Sequence, residues 1–125
     1  MKELFSITKP PIKHLDLVKY SGASGDFNPI HTVSHIAHQK GHPDVLVHGM
    51  FLMGWASQAL EEWYSNCRLI RFSVRFIAPT YPGETLTIKE TYFESNGGKL
   101  EIINSIGDIK LTGSFDFEES IDRRD

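Results

Sequence analysis

The sequence predicts an α+β domain in which an antiparallel sheet wraps around one long hydrophobic helix. The segment from Gly49 to Tyr64 is apolar on nearly every helical face over its first turns, which is typical of a buried helix. After Cys67 the hydrophobic residues alternate with a period of two, as they do in strands. Turn residues separate these later segments, so consecutive antiparallel hairpins are expected.

The chain begins with short predicted elements. Weak alternation from Leu4 to Thr8 predicts a first strand, which Pro10 and Pro11 end. Asp16 to Tyr20 then predicts a short helical turn. These elements lead into a segment of a different character.

The segment from Tyr20 to His31, YSGASGDFNPIH, predicts a functional loop. Gly22 and Gly25 disfavour regular structure, and Asn28-Pro29 is typical of a turn. Polar loops on a rigid scaffold are frequent sites of catalysis and binding.

Two helices are predicted after this loop. The first runs from Thr32 to Lys40, with Thr32 as its N-cap and Gly41 just beyond its end. The second is the hydrophobic helix, beginning at about His48-Gly49.

The remainder of the chain predicts four strands joined by turns. The predicted strands are Leu69–Ile77, Thr85–Phe93, Leu100–Ile106 and Ile109–Phe117. Asn96-Gly97-Gly98 and Gly107-Asp108 are expected to form hairpin turns. The charged tail, about residues 118–125, is expected to fray from a single domain spanning residues 1–125.

Composition excludes several classes of protein. A formal net charge of −3 and a pI near 6.0 give no electrostatic reason to expect binding to nucleic acid or an anionic membrane. The one cysteine, Cys67, cannot form an internal disulfide. The N-terminus lacks the apolar region of a signal peptide, and no apolar run reaches the roughly 20 residues that span a bilayer. We therefore expect a cytoplasmic protein.

Asp26 and His31 are the first candidate catalytic residues. A carboxylate and an imidazole on one rigid turn can share a water molecule, one holding it while the other moves its proton. The alternative is structural: Asp26 would cap the turn and His31 would cap the next helix.

Gly49 is the second candidate, because it lies in the first turn of the predicted helix. Backbone N–H groups there have no intrahelical partner, and the helix dipole favours negative charge. A carbonyl bound to the Gly49 N–H would be polarised as in an oxyanion hole. The alternative is that glycine only allows a tight entry into the helix.

With VHGM downstream, YSGASGDFNPIH closely resembles the hydratase motif of the MaoC-like (R)-specific enoyl-CoA hydratases and dehydratases. The segment IRFSVRFIAPTYPGETLTI is similar to the strand that follows the central helix in that family. The resemblance implies a hotdog fold and a lyase of fatty acid metabolism. It also implies a homodimer or higher homo-oligomer, with an acyl-thioester tunnel near the subunit interface.

The resemblance also implies roles for individual residues. Asp26 and His31 would activate water for addition to a trans-2-enoyl thioester, and the Gly49 N–H would bind the thioester carbonyl. The expected substrate-binding residues are Asn28, which would hold the loop, and Ser57, Phe27, Met50 and Met53. No cofactor is implied, since coenzyme A or acyl-carrier protein enters as part of the substrate.

Other ligand sites receive less support from the sequence. His31, His35 and His38 could share one helix face and bind a metal. The sequence contains no H-E-x-x-H motif, and we predict no metal site. SGASGD lacks the pattern of a phosphate-binding loop. Candidates for binding the phosphates of coenzyme A are Lys40, Arg71 and Arg75, although solvated surface charges are the favoured interpretation of each.

Two other functions remain open. The chain could be a non-catalytic acyl-thioester-binding subunit of a hetero-oligomer, although its intact D-x-N-P-x-H motif favours an active chain. It could also be a hotdog thioesterase with a carboxylate on the helix. Glu61 and Glu62 lie too near the helix end to serve well in that role.

Overall fold

A computed structural model of the chain describes residues 3–119 and shows a five-stranded antiparallel sheet with one long helix packed on it. The strands are β1 (Ser6–Lys9), β2 (Leu69–Phe76), β3 (Leu86–Glu94), β4 (Gly97–Asn104) and β5 (Ile109–Phe117). The helices are α1 (His14–Ser24), α2 (Ser34–Gln39) and α3 (Gly49–Trp63), and Pro29–His31 forms a 3₁₀ turn. The strand order is β1-β3-β4-β5-β2, with every neighbouring pair antiparallel.

The core lies between α3 and one face of the sheet, which confirms the predicted fold class. Leu52, Ala56 and Leu60 of α3 are buried in one cluster with inward-facing residues of the strands. The fully buried strand residues are Leu86, Ile88, Leu100, Ile102, Leu111 and Phe115. They fall on every second position of β3, β4 and β5, as half-buried strands require.

The predicted start of the loop at Tyr20 is wrong, because α1 continues through Ser24. Tertiary contacts explain the difference: Ser21 is buried, and Tyr20 packs edge-on against His48. Such packing overrides the weak helix propensity of this segment. Gly25 then ends the helix at φ 78°, a conformation that glycine adopts without strain.

Other boundaries move by a few residues. The N-cap of α2 is Val33 rather than Thr32. Gly97 and Gly98 lie inside β4 rather than in the hairpin turn. A Cβ at Gly98 would lie 2.1 Å from Tyr92 O, so close strand packing selects glycine there.

Apolar side chains are exposed at several positions, including the first turn of α3 and the strand β2. The first turn of α3 is not buried on all sides, since Met50 is 59% exposed. Ile70 and Phe76 of β2 are also exposed, and among the described strands β2 pairs with β5 alone and forms a sheet edge.

The charged tail is described only as far as Glu119. Glu118 is held by a hydrogen bond from its N–H to Arg68 O at 2.9 Å. The rest of the tail, residues 120–125, lies outside the described residues. Within residues 3–119 no helix is both long enough and apolar enough to cross a membrane.

Candidate active site

A cavity of about 550 Å³ lies at the N-terminus of α3. One wall is the segment that follows β2, and the other is the turn that follows α1. It is lined by Asp26, His31, Leu46, Val47, His48, Gly49, Met50, Leu52, Phe76, Ile77, Ala78, Pro79 and Thr80. The cavity therefore brings together the three residues predicted to be catalytic, Asp26, His31 and Gly49.

Asp26 is held by a turn that uses one of its two carboxylate oxygens. Its Oδ1 accepts a hydrogen bond from the Asn28 N–H at 3.3 Å, and Asn28 Oδ1 accepts one from the Ile30 N–H at 3.1 Å. The capping role considered for Asp26 is therefore real, but it occupies only Oδ1. Asn28 caps the 3₁₀ turn that carries His31, which agrees with the positioning role predicted for it.

The ring of His31 is fixed by the backbone of a distant residue. Its Nδ1 lies 2.8 Å from Leu46 O. Because a carbonyl oxygen only accepts, Nδ1 carries the hydrogen and the lone pair of the neutral ring lies on Nε2. The alternative helix-capping role is not observed, since the N-cap of α2 is Val33 and no side chain caps it.

Asp26 and His31 face each other across a gap suited to water. Asp26 Oδ2 lies 3.7 Å from His31 Nε2, beyond a direct hydrogen bond. A carboxylate oxygen and an imidazole lone pair are both acceptors, so a water molecule that donates to both is the natural bridge. The arrangement can therefore hold a water and remove its proton.

Gly49 begins α3 and presents its backbone to the same cavity. The first helical hydrogen bonds to His48 O come from Phe51 and Leu52, so the N–H of Gly49 precedes the helical ladder. A Cβ at Gly49 would lie 3.0 Å from the ring of Phe76. Glycine is thus favoured by the close approach of Phe76, and the dipole of α3 adds positive potential at this point.

His48 is a site residue that the sequence reasoning missed. It is 2% exposed, and its ring stacks on that of His31 with centroids 3.8 Å apart. Burial lowers the pKa of His48 below its ordinary value, and the charge of a protonated His31 lowers it further. The hydrogen bond to the Asp26 carbonyl and the Asp26 carboxylate act in the opposite direction but do not reverse the shift. Its place directly before Gly49 was the only signal in the sequence.

The wall that follows β2 is fixed by Lys110 of β5. Its backbone carbonyl accepts a hydrogen bond from the Ile77 N–H at 2.9 Å, and its buried Nζ donates to Pro79 O at 2.9 Å. From the other side, the Val47 N–H donates to Thr80 O at 2.8 Å. The cavity wall is therefore attached both to the sheet and to the strand-like entry into α3.

The other predicted substrate-binding residues lie at different distances from the cavity. Met50 lines it, whereas Phe27, next to Asp26, is 69% exposed at the surface. Met53 is half-buried on α3 and is not among the lining residues. Ser57 is exposed and borders a separate cavity with Leu60 near the C-terminal end of α3. The single chain therefore does not bring Met53 and Ser57 to Asp26.

The histidine-rich segment does not form the metal site that was considered. His31 lies in the 3₁₀ turn, so it shares no helix face with His35 and His38. Among residues 3–119, the one candidate group is Asp26, His31 and His48, whose ligand atoms lie within 4.8 Å of one another. The two rings are stacked 3.8 Å apart at an interplanar angle of 20°, so their in-plane lone pairs lie in separate, nearly parallel planes and are poorly placed to meet at one ion.

Comparison with known families and proteins identifies the family to which the chain belongs. Residues 5–114 match the family model described as MaoC like domain. The peroxisomal multifunctional enzyme type 2 of Mus musculus is 26% identical over 98 residues, which is 74% of this chain and 13% of that protein. The peroxisomal enoyl-CoA hydratase 2 of Arabidopsis thaliana is 34% identical over 74 residues, 57% of this chain and 24% of that protein. The chain thus matches only a small part of these longer relatives.

Solved structures show the same fold. The (R)-hydratase from A. caviae, described as involved in PHA biosynthesis, superposes with a TM-score of 0.79 at 21% identity, covering 90% of this chain and 91% of that one. The ChsH1-ChsH2 complex from Mycobacterium tuberculosis gives a TM-score of 0.77 at 17% identity, covering 93% and 94%. These likenesses confirm the hotdog fold expected from the sequence.

Proposed function

We propose, from the membership of this chain in the MaoC-like hydratase/dehydratase family and from its site, that it hydrates trans-2-enoyl thioesters with (R) specificity. The reverse reaction, dehydration of (R)-3-hydroxyacyl thioesters, uses the same groups. The observation that carries the proposal is the 3.7 Å gap between Asp26 Oδ2 and the lone-pair nitrogen of His31. The gap holds a water molecule against two bases beside an apolar cavity.

In the hydration step, the water oxygen forms a bond to C3 of the enoyl group. One proton of that water passes to the Asp26–His31 pair and is returned to C2, so that the elements of water add across the double bond. No electrons are exchanged with an outside acceptor, and the step therefore requires acid–base groups rather than a redox cofactor. Coenzyme A or an acyl-carrier protein takes part as the thioester carrier.

The Gly49 N–H acts on the other end of the conjugated system. As C3 accepts the water oxygen, negative charge develops on the thioester oxygen. A hydrogen bond from Gly49, supported by the dipole of α3, stabilises that charge. The acyl chain extends along the apolar wall formed by Met50, Phe76 and Ile77.

The functional unit that we propose is a homodimer or higher homo-oligomer. β2 forms a sheet edge that pairs only with β5, and its Ile70 and Phe76 are exposed. Pairing of this edge in a second copy would cover these apolar side chains. A second chain also offers a route by which Ser57 and Met53 could border a shared acyl tunnel. We place this assembly in the cytoplasm, in keeping with its single cysteine, Cys67.

The alternative functions make different use of the helix and the motif. A thioesterase would need a carboxylate of α3 in the cavity, but Glu61 and Glu62 are exposed near the far end of the helix. A non-catalytic subunit would have no use for the water-binding gap between Asp26 and His31. Hydration therefore explains the geometry better than either.

The test is to mix the purified protein with crotonyl-CoA and follow the loss of enoyl absorbance. Asp26→Asn and His31→Ala should each abolish the change, because each removes one partner of the water. His38→Ala is the matched control, since His38 contacts Pro43 O outside the cavity lining and should leave the rate unchanged. Full activity in either site variant would disprove the mechanism. Absence of activity on every coenzyme A or carrier-protein enoyl thioester would favour the non-catalytic subunit.

A further inference from the structure

His48 is placed beneath the catalytic pair rather than beside the substrate. It is the N-cap residue of α3, and its ring covers one face of the His31 ring at a centroid distance of 3.8 Å and an interplanar angle of 20°. On its other sides it meets Tyr20, edge-on at 4.8 Å, and Ser21. Both residues belong to α1. His48 therefore connects the turn that carries Asp26 to α1 and to the start of α3.

The hydrogen bonds of His48 define its tautomer. Its Nε2 lies 3.4 Å from Asp26 O and 3.1 Å from Ser21 Oγ. Because the carbonyl oxygen only accepts, Nε2 carries the hydrogen, and the hydroxyl of Ser21 can adapt to it. The lone pair then lies on Nδ1, which is buried without a hydrogen-bond partner.

The surroundings of His48 favour its neutral form. The titratable groups that face it are His31, Tyr20 and the carboxylate of Asp26. A proton on Nδ1 would create a second buried donor at the positive end of the α3 dipole, and would repel a proton held by His31. These surroundings disfavour a positive charge on His48.

We propose that His48 is a positioning residue, and this proposal rests on the hydration function proposed above. As a neutral imidazole, His48 fixes the plane of the His31 ring and the backbone of Asp26, while His31 transfers the proton. It holds the Asp26 carbonyl through Nε2–H, and its ring covers one face of the His31 ring. Loss of this support allows the 3.7 Å gap between Asp26 and His31 to change. Small displacements of catalytic groups are costly.

The first experiment needs no substrate and tests His48 even if the hydration function is wrong. In ¹⁵N-edited NMR of the imidazole groups, His48 should show the Nε2–H tautomer and should have a pKa below the ordinary histidine value of 6.5. Assignment is made by comparison with His48→Gln. An Nδ1–H tautomer, or protonation at or above the ordinary value, would overturn the proposal.

The second experiment separates positioning from proton transfer. His48→Phe keeps a flat ring but loses the donor, and we expect kcat to fall about 10- to 100-fold with little change in KM. His48→Gln keeps an N–H donor but loses the stacked ring and cannot be charged, so it should recover part of the rate lost in His48→Phe and keep the wild-type pH dependence of kcat. His42→Gln, which alters a contact with Tyr81 outside the cavity lining, should behave as wild type.

Two outcomes would contradict the positioning role. If His48→Gln were as impaired as His48→Phe and no longer showed the wild-type pH dependence of kcat, His48 itself would transfer the proton. If His48→Phe kept the full rate, the hydrogen bond from His48 to Asp26 O would have no part in positioning the site, and the proposal would be wrong. A chain without any hydratase activity would fail the proposed function, and the NMR result would still decide the state of His48.

Discussion

The two ends of α3 bury polar side chains in different ways. At the C-terminal end, the buried carboxylate of Glu90 accepts hydrogen bonds from the Tyr64 hydroxyl and, at 3.3 Å, from the Phe5 N–H. At the N-terminal end, His48 Nδ1 and Thr80 Oγ1 are buried without a hydrogen-bond partner among residues 3–119. Both of these atoms belong to residues that line the Asp26 cavity.

This difference suggests that the C-terminal end of α3 serves stability and that the N-terminal end serves function. Buried polar groups are nearly always hydrogen-bonded, because leaving one unsatisfied costs about 1–3 kcal/mol. The C-terminal end satisfies this requirement and is surrounded by aromatic rings, including Phe93 and Phe117. At the N-terminal end, the two unsatisfied polar atoms are destabilising, and both belong to residues that line a cavity. The contrast predicts that substitutions at the two ends will change different measured properties.

The largest effect is expected from removing the N–H of Gly49. Proline is well tolerated in the first turn of a helix, and His48 already has an extended backbone at φ −60° and ψ 133°. Gly49→Pro should therefore fold but should lower kcat by about 10²–10³-fold relative to Gly49→Ala. The alanine variant is the matched control, since its Cβ meets the Phe76 ring in the same way but keeps the N–H. Equal rates in the two variants would remove Gly49 from the mechanism.

The opposite result is expected at the other end of the helix. Tyr64→Phe removes a hydroxyl donor from the buried Glu90 carboxylate and should lower the free energy of unfolding by about 1–3 kcal/mol. Urea denaturation measures this loss, and kcat at a temperature where the variant is folded should equal that of wild type. A lower kcat with unchanged stability would show that the two ends are not functionally separate.

A pH-dependent effect is expected from Glu84, which supports the cavity wall through Lys110. Burial alone would raise the pKa of Glu84, but hydrogen bonds from Asn104, the Tyr81 N–H and Lys110 outweigh it and lower the pKa below the ordinary 4.5. In acid the unfolded chain therefore binds a proton before the folded chain does, so stability falls as the pH drops below about 4.5. Urea midpoints measured from neutral pH to about pH 3 should show this loss. Glu84→Gln should be less stable at neutral pH and should show a shallower decline, and an identical decline would contradict the assignment.

The smallest effect is expected at Arg71, one of the three candidates for binding coenzyme A phosphates. Its Nε is already paired with Asp116 Oδ2 at 2.6 Å on an exposed part of the sheet. Arg71→Ala should change stability by no more than about 1 kcal/mol and should leave the KM for an enoyl-CoA unchanged. A marked rise in KM would instead identify Arg71 as a phosphate ligand.

The sequence predicted the parts of the fold that depend on periodicity. The hydrophobic helix begins at Gly49 as expected, and β5 has the predicted bounds Ile109–Phe117. Local propensity misplaced the end of α1, because Tyr20 and Ser21 are held in the helix by contacts with a histidine far along the chain. Contacts of this kind have no local signature.

The same limit applies to the site. Asp26, His31 and Gly49 were identified from residue type and motif, and the structure brings them to one cavity. His48 was missed because a histidine beside a glycine has no distinctive pattern, and its meaning comes from stacking on His31. Ser57 was assigned by resemblance alone, and in the single chain it remains on the exposed side of α3.

The hydrogen bond from His31 Nδ1 to Leu46 O has a consequence for mutational scanning. The group that orients the His31 imidazole is a main-chain carbonyl, and every amino acid supplies one at that position. Replacing the Leu46 side chain should therefore leave the tautomer of His31 intact, and a scan would report only the part of that side chain in lining the cavity. Only a change to the main chain itself, such as an insertion or deletion that shifts the register before α3, would reveal how much of the site is encoded there.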